Sequence, residues 1–241
     1  MIHRRFAFLL ALGLALPVHA ASGDAAHFYV YRMQSGAAEK FEAGYRKHLD
    51  WHRAHRDPLS WYGWTIEDGE RSGDFVDASV GEPFAAFDRR VDVAGDGADF
   101  RVNVAPYATP MGQPTYVLLR EVSTGTPLEN LKPSATMQVT RVRVRLGMEA
   151  RFERALAVAR DALRKEHGAP AHTWYRLVTG GESAQYMLLV ARDGWAAYDR
   201  HERSLGSLLA GDEAAQRDVA EAVQSATTET WRYRPELSAL H

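Results

Sequence analysis

The sequence predicts an α+β chain made of two β-α-β-β-α-β units in tandem, and three observations lead there. The first is an internal echo: Phe84-Ala85-Ala86-Phe87-Asp88-Arg89-Arg90 returns as Trp195-Ala196-Ala197-Tyr198-Asp199-Arg200-His201. Upstream at the same spacing, Gly36-Ala37-Ala38-Glu39-Lys40-Phe41-Glu42 returns as Gly147-Met148-Glu149-Ala150-Arg151-Phe152-Glu153, and between these Trp61-Tyr62 returns as Trp174-Tyr175 at a spacing two residues longer. A repeat this long indicates a doubled unit and not a solenoid, whose period is roughly 20–50 residues. The second observation is that period-2 and helical-period segments alternate in the same order in both copies. The third is Thr124 to Ala135, a stretch with two prolines and a glycine that reads as a linker.

In the first unit, His27 to Met33 is rich in aromatic and β-branched residues and reads as a strand. Gly36 ends it. Ala37 to His55 follows as a helix with an inward stripe of Phe41, Tyr45, His48, His52 and His55, stopped at Asp57-Pro58 because proline disfavours helical geometry in the residue before it. Leu59 to Ile66 and Asp74 to Val80 are strands joined by a polar, glycine-containing hairpin loop, Glu67 to Gly73. Pro83 opens a helix over Phe84 to Arg90. The glycine and aspartate cluster from Val91 to Asp99 reads as a loop, with a short helix near Arg101, and Thr115 to Val122 is the closing strand.

The second unit repeats this order. Gln138 to Arg145 is a strand, Met148 to His167 a helix, and Thr173 to Thr179 and Gln185 to Ala191 are strands. Helices from Trp195 and over Asp212 to Ser225 precede a last strand, Thr228 to Arg234, and Ala94-Gly95-Asp96 recurs as Ala210-Gly211-Asp212. The expected division is a signal peptide over 1–20, a first unit over 21–123, a linker over 124–136 and a second unit over 137–241.

The order β-α-β-β-α-β is that of the ferredoxin-like split βαβ unit. Helices cover one face of such a sheet, so the other face must be buried, and a tandem copy supplies a matching face. At this point the chain resembles the dimeric α+β barrel superfamily, in which two ferredoxin-like units close sheet to sheet around a central cavity. The resemblance covers essentially all of the chain after Ala20 and rests on element order and the internal echo. It implies a fold shared by antibiotic-biosynthesis-type monooxygenases, haem-degrading enzymes, chlorite dismutases, lactone isomerases and stress-response proteins, and a shared fold does not select among them.

The amino terminus carries the marks of export: His3-Arg4-Arg5, the apolar run Phe6 to Leu16, the breaker Pro17 and small residues ending at Ala20. This predicts a cleaved secretory signal and a periplasmic or secreted protein, with no membrane span after signal removal. The chain has no cysteine. Thiolate nucleophiles, disulfides and cysteine metal sites are therefore excluded, and the roughly 220 residues after Ala20 must hold together by core burial alone. The formal net charge is −2 and no lysine-rich tract is present, which argues against a nucleic-acid partner.

Two places carry candidate chemistry because the two units differ there. The first is His48, His52 and His55. In the second unit the corresponding stripe is Phe152, Leu156, Ala159, Leu163 and Glu166, so apolar positions have become histidine. Histidines one turn apart can hold a divalent metal, and His48 and His52 are the candidate ligands; the competing reading is a helix end where histidine complements the carboxyl-terminal dipole. The second is the strand Gln138 to Arg145, where Val142 and Val144 alternate with Arg141, Arg143 and Arg145. With the valines against the helices, the arginines point toward the cavity or its mouth. Arg32 and Arg176 are candidates for the same side, with Trp61 and Trp174 among the aromatic walls, alongside Trp64 and Tyr175. Such a set suits an anionic organic ligand held by paired hydrogen bonds, and the competing reading pairs the arginines with carboxylates.

The expected function is small-molecule binding in an exported α+β barrel, with cofactor-poor oxygenation or isomerisation of an aromatic or anionic ligand as the enzymatic form. The alternatives are a non-catalytic envelope stress or interaction module, and haem or metal handling with His48, His52 or His201 as ligands. No cofactor is favoured over the others, and a homo-oligomer stands open. Serine-hydrolase, nucleotide-binding and zincin motifs are absent from the sequence.

Overall fold

The computed structural model describes residues 23–200 and 204–241, so the expected signal segment and His201 lie outside the described residues. The first half runs β1 (Ala25–Met33), α1 (Ala38–Ala54), β2 (Tyr62–Ile66), β3 (Phe75–Glu82), a 3₁₀ turn (Phe84–Arg89), α2 (Val93–Asn103), β4 (Ala108–Gly112) and β5 (Thr115–Leu118). The second runs β6 (Thr136–Val144), α3 (Glu149–Leu163), β7 (His172–Thr179), β8 (Gln185–Arg192), α4 (Ala196–Arg200), α5 (Leu205–Leu208), α6 (Glu213–Ala222) and β9 (Val223–Tyr233). The fold class is the expected α+β, with the ferredoxin-like strand order in both halves: β5-β1-β3-β2 and β9-β6-β8-β7.

The halves join edge to edge. β2 pairs with β9, setting Ile66 opposite Trp231, and β5 pairs with β7, setting Leu118 opposite Tyr175. Because β1 also pairs with β3, the eight strands close into a ring in which every ladder is antiparallel. An eight-stranded barrel is just wide enough for side chains to fill, and alternation along each strand sends every second residue inward. The interior holds Phe28, Tyr62, Trp64, Tyr116, Tyr175, Met187 and Trp231. At about 1.5–3 kcal/mol for each large apolar side chain, this interior is a main source of stability in a chain without cross-links.

Leu128, in a 3₁₀ turn of the stretch expected as a linker, is part of this interior, and Tyr62 donates its hydroxyl hydrogen to the Leu128 carbonyl. Glu129 lies against Gly81, so the turn stops the barrel end where β1 begins beside Val80. The outward residues meet the helices. On the first half Tyr31, Phe41, Tyr45, Leu49, Trp61 and Phe75 pack together, and on the second Val142, Val144, Phe152, Leu156, Trp174 and Tyr186 do so.

The strand expected over Thr115 to Val122 ends at Leu118, and the helix expected to reach Ser225 ends at Ala222, so the last strand starts at Val223 and not Thr228; two further elements differ in kind. The Val91 to Asp99 cluster is mostly helix: Asp92 caps α2, its side chain accepting from the Gly95 amide at 3.0 Å, so the aspartate that reads as a loop residue starts the helix instead. β4 is an unexpected short strand, which pairs with the carboxyl half of β1 while β5 pairs with its amino half.

Candidate metal centre

α1 and α2 lie against the outer face of the first half's sheet. They approach closely at Gly44, where an added Cβ would stand 1.8 Å from the carbonyl oxygen of Asn103, and this closeness brings α2 over the histidine stripe of α1. Residues four apart on a helix share a face, so His48 and His52 present their rings together. Both are buried, whereas His55 caps the helix at its exposed end and stacks on Trp51 with ring centroids 4.0 Å apart. The structure brings together two members of the expected trio.

The two Nε2 atoms are 3.3 Å apart. Oδ1 of Asp96, from α2, lies 3.3 Å from Nε2 of His48 and 3.5 Å from Nε2 of His52. Ligands at about 2.0–2.1 Å from a tetrahedral ion are themselves about 3.3–3.4 Å apart, so the three atoms form one face of such a polyhedron and leave the remaining position free. The opposite ring nitrogens are each held by a carboxylate: Nδ1 of His48 is 2.9 Å from Oδ1 of Asp99, and Nδ1 of His52 is 2.6 Å from Oδ2 of Asp57. A carboxylate on Nδ1 places the hydrogen there, orients the ring and leaves the Nε2 lone pair for a metal. Asp57 is fixed in turn by the Leu59 amide at 3.0 Å and the Trp61 indole at 3.0 Å. Burial works to raise its pKa, but the hydrogen bonds from His52, Leu59 and Trp61 prevail and hold it below the usual carboxylate range. Burial likewise lowers the His48 pKa, more than the neighbouring aspartates raise it, which favours the neutral imidazole that a metal needs.

A cavity of about 230 Å³ opens on these ligands, between helices and sheet. Tyr29, Tyr31, Tyr45, Trp61 and Phe100 form aromatic walls, and Arg90 pairs with the second oxygen of Asp96. Asp77 of β3 lies on the sheet side, accepting the Tyr45 hydroxyl hydrogen at 2.6 Å. The sequence carries the two ligand histidines at readable spacing. It does not reveal Asp96, Asp99, Asp77 or Arg90, which come from other elements; the one available signal was that Asp96 and Asp99 sit three apart, as on one helical face.

The arginine set is largely dispersed. Arg32 and Arg141 do line a second cavity, of about 270 Å³, at the barrel end opposite Leu128, above Phe28, Tyr116, Met187 and Trp231. Their charges are already matched: Arg32 meets Asp74 at 3.1 Å, and Arg141 joins Arg71 on the buried Glu229 at 3.1 and 2.6 Å. Arg143 pairs with exposed Glu182, and Arg145 donates to the Glu221 carbonyl at 3.0 Å, both away from that cavity. Arg176 and Trp174 face the helices and not the interior, because Tyr175 between them points inward; Arg176 meets Glu153 of α3 at 2.9 Å and Trp174 packs on Phe152. Trp61 is also outside the barrel, its ring centroid 4.9 Å from that of His52, so it walls the metal-side cavity.

No protein-family model matches the chain, and no curated protein sequence matches it. Solved structures do. A monooxygenase-like protein from Lactobacillus acidophilus NCFM superposes with a TM-score of 0.56 at 14% identity, over 90% of this chain and 97% of that one. A variant chlorite dismutase from Candidatus Nitrospira defluvii gives 0.58 at 10% identity, over 89% and 92%. A haem-binding protein from Thermus thermophilus gives 0.52 at 12% identity, over 89% and 92%. The chain thus shares the ferredoxin-like α+β barrel fold with monooxygenase-like and chlorite dismutase-like proteins.

Of the three candidate haem ligands, His201 lies outside the described residues, and the two cavities beneath the described helices do not fit haem. On the second half the space between helices and sheet, beside His172, is closed by Trp174, Leu163, Leu205 and Leu208 to about 20 Å³, little more than the roughly 10–15 Å³ that one water needs. On the first half both imidazoles turn toward the Asp96 carboxylate, a donor set for a bare cation and not for a porphyrin plane.

Proposed function

We propose that this α+β barrel is a metal-dependent, small-molecule-transforming protein of the oxygenase-like kind, with a first-row divalent cation held by His48, His52 and Asp96. One observation carries the reading: two imidazole Nε2 atoms and a carboxylate oxygen meet within 3.5 Å while each imidazole is braced from behind by its own carboxylate. Two histidines and one carboxylate with open positions are the donor set of non-haem iron oxygenases, and also a three-ligand set for catalytic zinc. A cation bound there supplies Lewis-acid activation of an oxygen ligand, and iron adds oxygen chemistry. The chain's own part is to orient the ligands through Asp57 and Asp99, and to enclose an organic molecule against Tyr29, Tyr31, Trp61 and Phe100. The Met1–Ala20 segment supports export, so the working compartment in this reading is the periplasm or the cell exterior.

After chelator stripping, the protein is expected to take up one equivalent of Co(II) or Zn(II) by calorimetry, with visible Co(II) absorption bands. His48→Ala with His52→Ala, and Asp96→Ala separately, are expected to weaken uptake about 100-fold or more, beyond the 10–100-fold typical of an outer residue. Unchanged stoichiometric uptake in the double-histidine variant sinks the reading.

A further inference from the structure

The barrel-end cavity of about 270 Å³ lies on the inner side of the sheet, with β1 between it and the metal-side cavity: Phe28, Val30 and Arg32 line the one, Tyr29 and Tyr31 the other. Its charges pair by contact but not by number. Three guanidiniums, of Arg32, Arg71 and Arg141, meet two carboxylates, of Asp74 and Glu229. Glu229 has no capacity to spare. Arg71 donates to it from Nε and Nη2 at 2.8 and 2.6 Å, Trp231 from the indole at 3.0 Å and Arg141 from Nη2 at 3.1 Å, as many bonds as a carboxylate has lone-pair sites. Burial works to raise the Glu229 pKa, but these donors and the two positive charges hold it low, so it stays ionised and one positive charge is left over.

The groups left without partners here are donors. Among the described residues nothing accepts from Nη1 of Arg71, Nη1 of Arg141 or the hydroxyl of Tyr116. None of the three is enclosed in the way that Nε of Arg141 is, so each opens onto space. Tyr116 is 3% exposed and sits inside the barrel, so the space its hydroxyl meets is this cavity. Burial pushes that hydroxyl up to about 12 against the pull of Arg141 and Arg71, and it therefore keeps a hydrogen to donate near neutrality. Phe28, Met187 and Trp231 form an apolar floor beneath these donors. The rim is set by Gly180, at φ +85°, which lets the β7–β8 hairpin touch the turn before β5: a Cβ there would stand 2.5 Å from the Gln113 carbonyl oxygen.

We propose that the barrel end is a second ligand site, independent of the metal, for a small monocarboxylate carrying one aromatic ring. The carboxylate accepts from Arg71, Arg141 and Tyr116 and offsets the surplus charge, and the ring lies on Phe28, Met187 and Trp231. An apolar cavity of about 150 Å³ already holds benzene, so this one has room for a ring and its carboxylate.

The probe is phenylacetate, titrated by calorimetry into the whole protein at pH 7 after chelator stripping. One equivalent is expected to bind, and phenylacetamide, of the same shape without the charge, at least about tenfold more weakly. Arg141→Gln is expected to weaken phenylacetate by about tenfold or more. That change also removes a donor from Glu229, so Tyr116→Phe is tested beside it. Its hydroxyl has no partner to lose: Tyr116→Phe is expected to melt no lower than the wild type and yet to bind phenylacetate about threefold or more weakly. The His48→Ala, His52→Ala variant is expected to bind as the wild type does, which separates this site from the metal-side cavity. Absence of saturable uptake up to about 10 mM, wild-type affinity in Arg141→Gln or Tyr116→Phe, or loss of binding in the double-histidine variant overturns the proposal, and each leaves the metal reading to its own test.

Discussion

At the residue scale the site is a matter of which polar groups have partners. Asp57 receives three hydrogen bonds and stays ionised, whereas Asp77 receives one and is driven toward its neutral form, although both are buried carboxylates within one layer of structure. The difference has a pH signature. Between the ordinary value near 3.8 and the folded value of about 8, the unfolded chain has lost the Asp77 proton while the folded chain keeps it. Stability therefore falls as pH rises through that window. Asp77→Asn lacks this titration, so the melting temperature of the metal-free variant relative to the wild type is expected to climb by several degrees between pH 4.5 and 8, at about 2–4 °C per kcal/mol. A gap that stays constant across that range refutes a protonated carboxyl. In the sequence, His48 and His52 were legible because helical periodicity puts them together. Asp96 and Asp77 were not, since only the docking of α2 and the pairing of β3 bring them near.

At the element scale the site depends on where α2 lies. Its glycines and aspartates look like a loop because Gly95 and Gly97 are poor helix formers, yet the Asp92 cap and the contact with α1 outweigh that weak local preference. Gly44 decides the separation of the two helices. Gly44→Ala drives a methyl group into the Asn103 carbonyl, where rigid backbone must give way. The substitution is expected to cost about 1–3 kcal/mol, as overpacking does, and to weaken cobalt binding by an order of magnitude or more, although no ligand is altered. Circular dichroism melting and Co(II) titration measure the two effects; full affinity in a destabilised variant would show that α2 does not position Asp96. The arginine strand gives the complementary lesson. Its alternation correctly put Val142 and Val144 against the helices, but the carboxylates that neutralise Arg32 and Arg141 come from the residue just before β3 and from β9, out of reach of any local pattern.

At the scale of the whole molecule, element order and the internal echo were enough for the α+β class, while ring closure rests on the β2–β9 and β5–β7 pairings between distant segments. Those two seams make each half dependent on the other. Residues 21–123 or 137–241 expressed alone are expected to self-associate or remain unfolded, and to form a soluble 1:1 complex when co-expressed. A half that melts cooperatively as a monomer by size-exclusion chromatography and circular dichroism would refute this. The halves are also unequal: the first keeps a polar cavity under its helices, whereas the second fills the matching space with Trp174 and leucines.

Closure of the ring also governs how the chain meets its own copies. An open sheet ends in two rows of free N–H and C=O groups on which another chain can build, and here closure of the eight strands covers most of both rows. Among the described residues two edges remain: β4, five residues long and interrupted by Pro110, which has no hydrogen to donate, and the first part of β9, which β2 meets only from Trp231 to Tyr233. A proline on one edge and the polar run Gln224 to Glu229 on the other make both poor templates for edge-to-edge growth of a chain that has no covalent staples.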